Sequence, residues 1–351
     1  MMRTIKSNQN MAGFGLVELM VSITLGLLLT AAVIQTLVAA NTSYRIQDSL
    51  SQIQEAGRYA IHFLGKDLRM AGYMGCASLS NVPVNNIADY PSGNVPADIV
   101  FDLNNVVRGS NNVAAGNAWN AVPNTDVITL RRATSQSVRL TGNMAAMNAN
   151  IQIDGNPLGF QQYDYLMITD CLNADLFVAN NVSNSSGTVT ITHPQSVNTD
   201  VNLSKAYGPD AEVFGFESVS YFVRDTGRDT DGGNDIHALY VQRRSAGSGG
   251  AAPAAYELVE GVENMQLTFG EDTDNDNGVD VYRTANNVAN WENVLSVKIE
   301  ILLVSDQENV VAQTGSDIAQ VVTFNGAAVQ NNDGRYRRAI SNVFTIRNKL
   351  K

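Results

Sequence analysis

The chain has 351 residues, room for one large domain or two smaller ones. With 44% hydrophobic and 16% charged residues it can fill a core, which excludes a disordered chain. Its 34 acidic side chains outweigh 23 basic ones, giving a net charge of −11 and excluding a broad basic surface for nucleic acid, though not a local basic patch.

The first segment, Met1 to Gly13, contains Arg3 and Lys6 and no acid. From Leu19 to Ala40 no residue is charged, a run that meets the roughly 20 residues needed to cross a bilayer core. The basic flank precedes it, so the positive-inside rule keeps Met1 in the cytoplasm and exports everything after Ala40. Glu18 stands at the head of this apolar stretch, where burying a carboxylate is costly. The local string is Gly13-Phe14-Gly15-Leu16-Val17-Glu18-Leu19-Met20. It resembles the type IV prepilin motif. The resemblance implies that a prepilin peptidase cuts between Gly13 and Phe14 on the cytoplasmic face and that the new terminal Phe14 is N-methylated. It implies also that Glu18 pairs with the terminal amine of an adjacent subunit and sets the register between subunits. Gly15 departs from the commoner Thr or Ser and leaves the cleavage site intact.

Beyond Ala40, Leu50, Ile53, Gly57, Ala60, Ile61, Leu64 and Leu68 recur every three or four residues, with Asp48, Gln52, Glu55, Arg58 and Lys66 opposite. No proline occurs before Pro83. One helix is therefore predicted over Phe14 to Met70, roughly 85 Å long. Many major pilins carry a proline in the membrane half, and its absence removes the usual reason for a kink. Gly26 is the weak point expected in the apolar run. Gly57 and Gly65 are expected to loosen the second half, and Gly72 or Gly75 to end it.

From Ser80 the texture changes to short β-type runs broken by Asn, Gly, Asp and Ser. The expected strands are 98–103, 126–131, 137–140, 163–169, 175–178, 188–193, 212–224, 237–243, 256–260, 265–269, 294–304 and 339–347, with 245–252 as a loop or hairpin tip. The expected fold is α+β and type IV pilin-like: a long amino-terminal helix on a large, antiparallel, mainly β head of two sheets or two subdomains. The expected organisation is a leader over 1–13, a transmembrane half-helix over 14–40, an amphipathic half over 41–75 and a periplasmic or extracellular head over 76–351.

Several stretches of the head resemble the PilW-type minor pilins: Gly72 to Cys76, Thr169-Asp170-Cys171, Leu258 to Met265, the acidic loop from Asp272, Val294–Val304 and Arg337 to Asn348. The resemblance implies a scarce subunit that joins other minor and major pilins in a priming or tip complex, with a tip adhesin as a further partner. It places the chain in the bacterial inner membrane and, after assembly, in the extracellular pilus. A minor pseudopilin of type II secretion shares much of the pattern, and a tip module binding a surface or DNA is a second alternative. In the oxidising periplasm Cys76 and Cys171 are expected to form a disulfide tying the helix base to the head; two separate buried thiols are the alternative.

Residues Glu271 to Asp280 read EDTDNDNGVD. Asp272, Asp274, Asp276 and Asp280 offer hard oxygen ligands of the kind Ca²⁺ takes. An EF-hand is excluded, because Asn277 holds the sixth position and Arg283 the twelfth. Two readings stay open: an isolated Ca²⁺ loop in a hairpin, or a solvated acidic turn. No other cofactor is expected. Asp225-Thr226-Gly227 matches an aspartic-protease tripeptide once, in a stretch that reads as a polar turn. The three histidines lack metal-like spacing, and no nucleophile-elbow or phosphate-loop pattern occurs. No enzyme is expected.

Overall fold

Hydrogen bonding and side-chain spacing produce one helix, α1 (Leu16–Met70), of 55 residues. The computed structural model describes residues 15–90, 99–183, 187–249, 251, 253–311, 320–330 and 333–349. Gly13 and Phe14 lie outside the described residues. Gly26 does not interrupt the helix. Within the apolar half the hydroxyls of Ser22, Thr30 and Thr36 donate to the carbonyls of Glu18, Gly26 and Ala32, each at 2.8 Å. This back-bonding satisfies the hydroxyl donors without solvent, so they are tolerated in an apolar helix. The helix stops at Met70. Ala71 caps it, and Gly72 follows at φ +77°, the left-handed conformation that ends helices with little strain when Cβ is missing. The amide of Gly72 then donates to the carbonyl of Arg131 at 2.8 Å, fixing the helix end to the head.

The second half of α1 buries Ile53, Ala60, Leu64 and Leu68 along the predicted stripe. Gly57 and Gly65 do not loosen it. A Cβ at Gly57 would meet the side chains of Ile340 and Leu303, and one at Gly65 the ring of Phe344, so both glycines let the helix lie close on the sheet beneath.

The described part of the head holds four sheets rather than two. In the largest, β9 (Glu212–Asp229) is the central strand. Along one edge it pairs with β3 (Val127–Arg139). Its other edge is shared by β5 (Tyr165–Thr169) and β10 (Asp235–Arg244). β2 (Val107–Ser110) extends the β3 side, and β11 (Ala255–Glu260) the β10 side. β6 (Ala174–Val178) joins β5 antiparallel, and β1 (Val84–Asn86) joins β6 as a parallel strand. A four-stranded antiparallel sheet runs β13 (Val281–Arg283), β12 (Val262–Glu271), β14 (Val294–Val304) and β17 (Arg337–Thr345), and α1 lies over β14 and β17. Smaller sheets are β4 (Ile151–Asp154), β8 (Thr188–Thr192) and β7 (Asn181–Val182), and the hairpin β15 (Val321–Phe324) with β16 (Ala327–Gln330).

Two cores meet at β5 and β6. Tyr165, Met167 and Leu176 join α1 and the two large sheets, whereas Leu166, Ile168 and Phe177 face a second core with β4 and β8. Both strands are therefore apolar on both faces, and they read in sequence as continuous runs rather than alternating ones. Two expectations fail here. Residues 99–103 form no strand, although Ile99 and Phe101 are buried. Asp225-Thr226-Gly227 is not in a turn but near the end of β9, where the amide of Gly227, at φ +71°, donates to the Asp225 carboxylate at 2.8 Å.

Candidate functional site

The amino-terminal half of α1 is one candidate site. Every described residue from Gly15 to Tyr44 is exposed, including Leu16, Leu19, Ile23, Leu27, Ile34 and Leu37. This is the one helix among the described residues long and apolar enough to cross a membrane. An apolar cylinder of this size is far larger than the patches soluble monomers expose, so its stable surroundings are lipid or other helices. Glu18 lies in the first turn, where its carboxylate complements the positive end of the helix dipole. It points outward from the helix and is available to a group on another chain.

The second element is the junction that transmits the helix position to the head. Asp67 is buried on α1, its side chain 4% exposed. It accepts from Arg132 of β3 and from Arg243 of β10, both at 2.9 Å, and from the Tyr221 hydroxyl of β9 at 2.7 Å. Glu217 completes the ring, receiving Arg132 at 2.9 Å and Arg243 at 3.2 Å. Burial by itself would raise the Asp67 pKa. The Arg132 charge, the Tyr221 hydroxyl and Arg243 outweigh it and hold the carboxyl below its ordinary value. Close by, Cys76 and Cys171 are joined in a disulfide with their Cα atoms 5.1 Å apart, linking the chain just past the helix to the turn between β5 and β6. Asn348 adds a third tie, donating to the carbonyl of Ala71 at 3.0 Å. The sequence pattern placed the cysteines but not Asp67, because a lone Asp among apolar helix positions carries no signal of its partners on distant strands.

The acidic loop joins β12 to β13. Asp272, Asp274 and Asp276 each bring a carboxylate oxygen within 4.8 Å of the others. Oxygens bound to one Ca²⁺ at about 2.4 Å lie within about twice that distance of each other, so these three fit such an ion. Asp280 lies beside this group without being one of the three: its Oδ2 accepts from the amide and the hydroxyl of Thr273 at 2.7 and 2.8 Å. Asp272 is buried and receives the amides of Asn275 and Asn277, which shape the loop. At Asp274 the amide of Asp276 favours the carboxylate. The neighbouring charges of Asp276, Asp280 and Asp272, with some burial, prevail and raise its pKa. No histidine joins this group: His62 is on α1, His193 follows β8, and His237 is on β10.

A long amino-terminal helix, its apolar half bare and its other half laid on a mainly antiparallel β head, defines a pilin-like subunit. The Type IV Pilus-assembly protein W family profile matches residues 220–348, from β9 to the carboxyl-terminal strand β17 and just beyond. The Prokaryotic N-terminal methylation motif matches residues 8–34, a span that includes Gly13, Phe14 and Glu18. Together the two match a PilW-type minor pilin with a prepilin-like amino terminus. Among solved structures, a type IV-like pilin from Thermus thermophilus is similar at 13% identity over 39% of this chain and 80% of that one. Its TM-score of 0.21 adds no weight to the assignment. No curated protein matches the chain.

Proposed function

We propose that the chain is a minor pilin that acts structurally, not as an enzyme, in a priming or tip complex of a type IV pilus. The observation that carries the reading is the joining of a bare apolar half-helix headed by Glu18 to a head matching the pilus-assembly W family. That match favours a pilus over a type II secretion pseudopilus. In this reading the leader 1–13 is removed after Gly13, Phe14 is N-methylated, and residues 14–40 hold the subunit in the inner membrane until it enters the extracellular pilus. Glu18 then neutralises the Phe14 amine of an adjacent subunit, which lowers the cost of holding both charges in an apolar filament core and fixes the axial register. The head faces other minor and major pilins and a tip adhesin.

The test is a chromosomal deletion scored for surface pili, beside the same strain carrying Glu18→Ala. Loss of pili in both supports an assembly role; full piliation in both sinks it. For the acidic loop we propose Ca²⁺ on Asp272, Asp274 and Asp276, with further oxygens from water or nearby groups such as Asp280. Calorimetric titration of the detergent-solubilised chain should show Ca²⁺ binding that Asp274→Ala abolishes. An absence of heat with the unaltered chain removes the ion from the account.

A further inference from the structure

The largest sheet has two faces, and Asp67 of α1 marks one of them. Arg132, Glu217 and Arg243 turn towards that carboxylate and its ring of ion pairs. Successive side chains of a strand alternate, so their neighbours Arg131, Ser218 and Arg244 point to the opposite face. There polar side chains stand in two rows across the strands. Arg131, Ser218 and Arg244 are cross-strand partners in one row. Arg108 of β2, Thr129, Ser220 and Gln242 are partners in the other.

Both rows line a recess of about 520 Å³, which Trp119 also lines. That volume is of the size that takes a small ligand. A solvated outer face would leave such side chains exposed, yet Thr129, Arg131, Ser218, Ser220 and Arg244 are all buried.

Most of these groups are fixed by the protein itself. The hydroxyls of Thr129 and Ser220 bond each other at 2.8 Å, and Gln242 donates to the carbonyl of Pro253 at 2.8 Å. Arg131 and Arg244 donate to the carbonyls of Asn105 and Ala251. Ser218 differs. Its buried hydroxyl has no hydrogen-bond partner among the described residues, although burying an unmade hydrogen bond is costly. Arg108 differs too, being exposed at the rim and in no ion pair among the described residues. Its guanidinium lies 4.7 Å from the centre of the Trp291 ring. Stacking holds the guanidinium plane and leaves the N–H donors around its edge to meet a planar carboxylate. An indole beside a ladder of hydroxyl and amide groups suits a pyranose, whose C–H face packs on the aromatic ring while its hydroxyls exchange hydrogen bonds. A compact inorganic anion would leave most of the recess empty. A nucleic-acid strand needs positive charge along a track, whereas the arginines here converge on one recess.

We propose that this recess binds a hexuronic acid, with the carboxylate on Arg108, a ring hydroxyl on Ser218 and the ring face on Trp119. Free monosaccharide and the end of a polysaccharide offer the same chemistry. The site belongs to the head and uses neither the anchor nor the assembly role, so it stands or falls apart from the pilus reading.

The test is calorimetric titration of the detergent-solubilised full chain with galacturonate, glucuronate and mannuronate, each as monomer and as trimer. The matching neutral sugars, inorganic phosphate and a short single-stranded oligonucleotide run beside them. At least one uronate should bind about tenfold tighter than its neutral counterpart, the preference expected of one charge-assisted contact. Arg108→Gln should remove that preference and leave the neutral sugar unchanged. Ser218→Ala should weaken both forms about fivefold, with the urea midpoint of each variant kept close to that of the unaltered chain as the check on folding. A trimer that binds tighter than the monomer assigns the polysaccharide, and equal binding assigns the free sugar; either upholds the site. No binding of any uronate, equal binding of the neutral sugars, tighter binding of phosphate or the oligonucleotide, or affinities indifferent to Arg108→Gln would each overturn the proposal.

Discussion

At the level of single residues, two buried charges make the stability of the head rise with pH in two separate ranges. Asp67 is held below its ordinary 3.8 by Arg132, Tyr221 and Arg243 against the cost of burial. A carboxyl with a depressed folded pKa contributes stability that is complete above about pH 4 and is lost as pH falls through the folded value. Asp67→Asn should therefore lower stability at neutral pH by ~2–4 kcal/mol, since it leaves Arg132 and Arg243 near each other with only Glu217 between them. Thermal melts of the detergent-solubilised chain would show this as a lower midpoint at pH 7 and a shrinking difference towards pH 3. Lys349 acts in a higher pH range, as a destabilising charge. Burial lowers its pKa to about 7, against the pull of Glu292 and Asp102, while its ammonium donates to the carbonyl of Trp291. The unfolded lysine keeps its proton up to 10.5, so between pH 7 and 10.5 the unfolded chain binds more protons and stability rises with pH. Lys349→Met should flatten that rise and stabilise the head at pH 7 by ~1–4 kcal/mol, the gain usual when an apolar side chain replaces a buried ion. Equal slopes for the two proteins between pH 7 and 9 would refute the assignment.

Elements are where the sequence and the structure can be compared most usefully, and the helix glycines show why. Gly26 and Gly65 look alike in the sequence, yet nothing lies within 4 Å of a Cβ placed at Gly26, whereas one at Gly65 would sit 2.8 Å from Cζ of Phe344. Gly→Ala inside a helix normally stabilises by about 0.5–1 kcal/mol. At Gly65 the same change should destabilise by ~1–3 kcal/mol, because an aromatic ring moves as a unit and Phe344 is wedged beneath Arg69 and the helix. Comparing urea midpoints of Gly26→Ala and Gly65→Ala checks the sign directly. Periodicity made α1 legible almost to the residue, since its stripe and its terminal Gly72 are local signals. Strand β14 was equally clear, with the run Val294–Val304 framed by polar residues. Short strands such as β4 and β7 were not legible: their pairing comes from partners far along the chain, and two to four residues hold no period. The β15–β16 hairpin did carry a signal. Asn325 and Gly326, both at positive φ, form the Asn-Gly turn that two-residue hairpins favour.

For the molecule as a whole, the question is how an 83 Å helix (about 1.5 Å per residue) keeps one fixed relation to a head packed along only half of it. The ties cluster where the helix ends. The Asp67 ring fixes α1 to β3, β9 and β10, Asn348 holds the helix cap, and the Cys76–Cys171 bond fastens the following segment to the β5–β6 turn. Of these the disulfide is the covalent tie, closing a sequence separation of 95 residues. In the chain-entropy account, closing a loop of that size restricts the unfolded chain by up to ~4–5 kcal/mol, with less in practice when the unfolded state keeps structure. The double variant Cys76→Ser with Cys171→Ser should thus reach its urea midpoint earlier while the folded head persists in the absence of denaturant, because the noncovalent ties and both cores stay in place. Adding a thiol reductant to the unaltered chain should reproduce the shift, and adding it to the variant should do nothing. A variant with an unchanged midpoint would mean that the helix base is held by packing and the Asp67 ring alone.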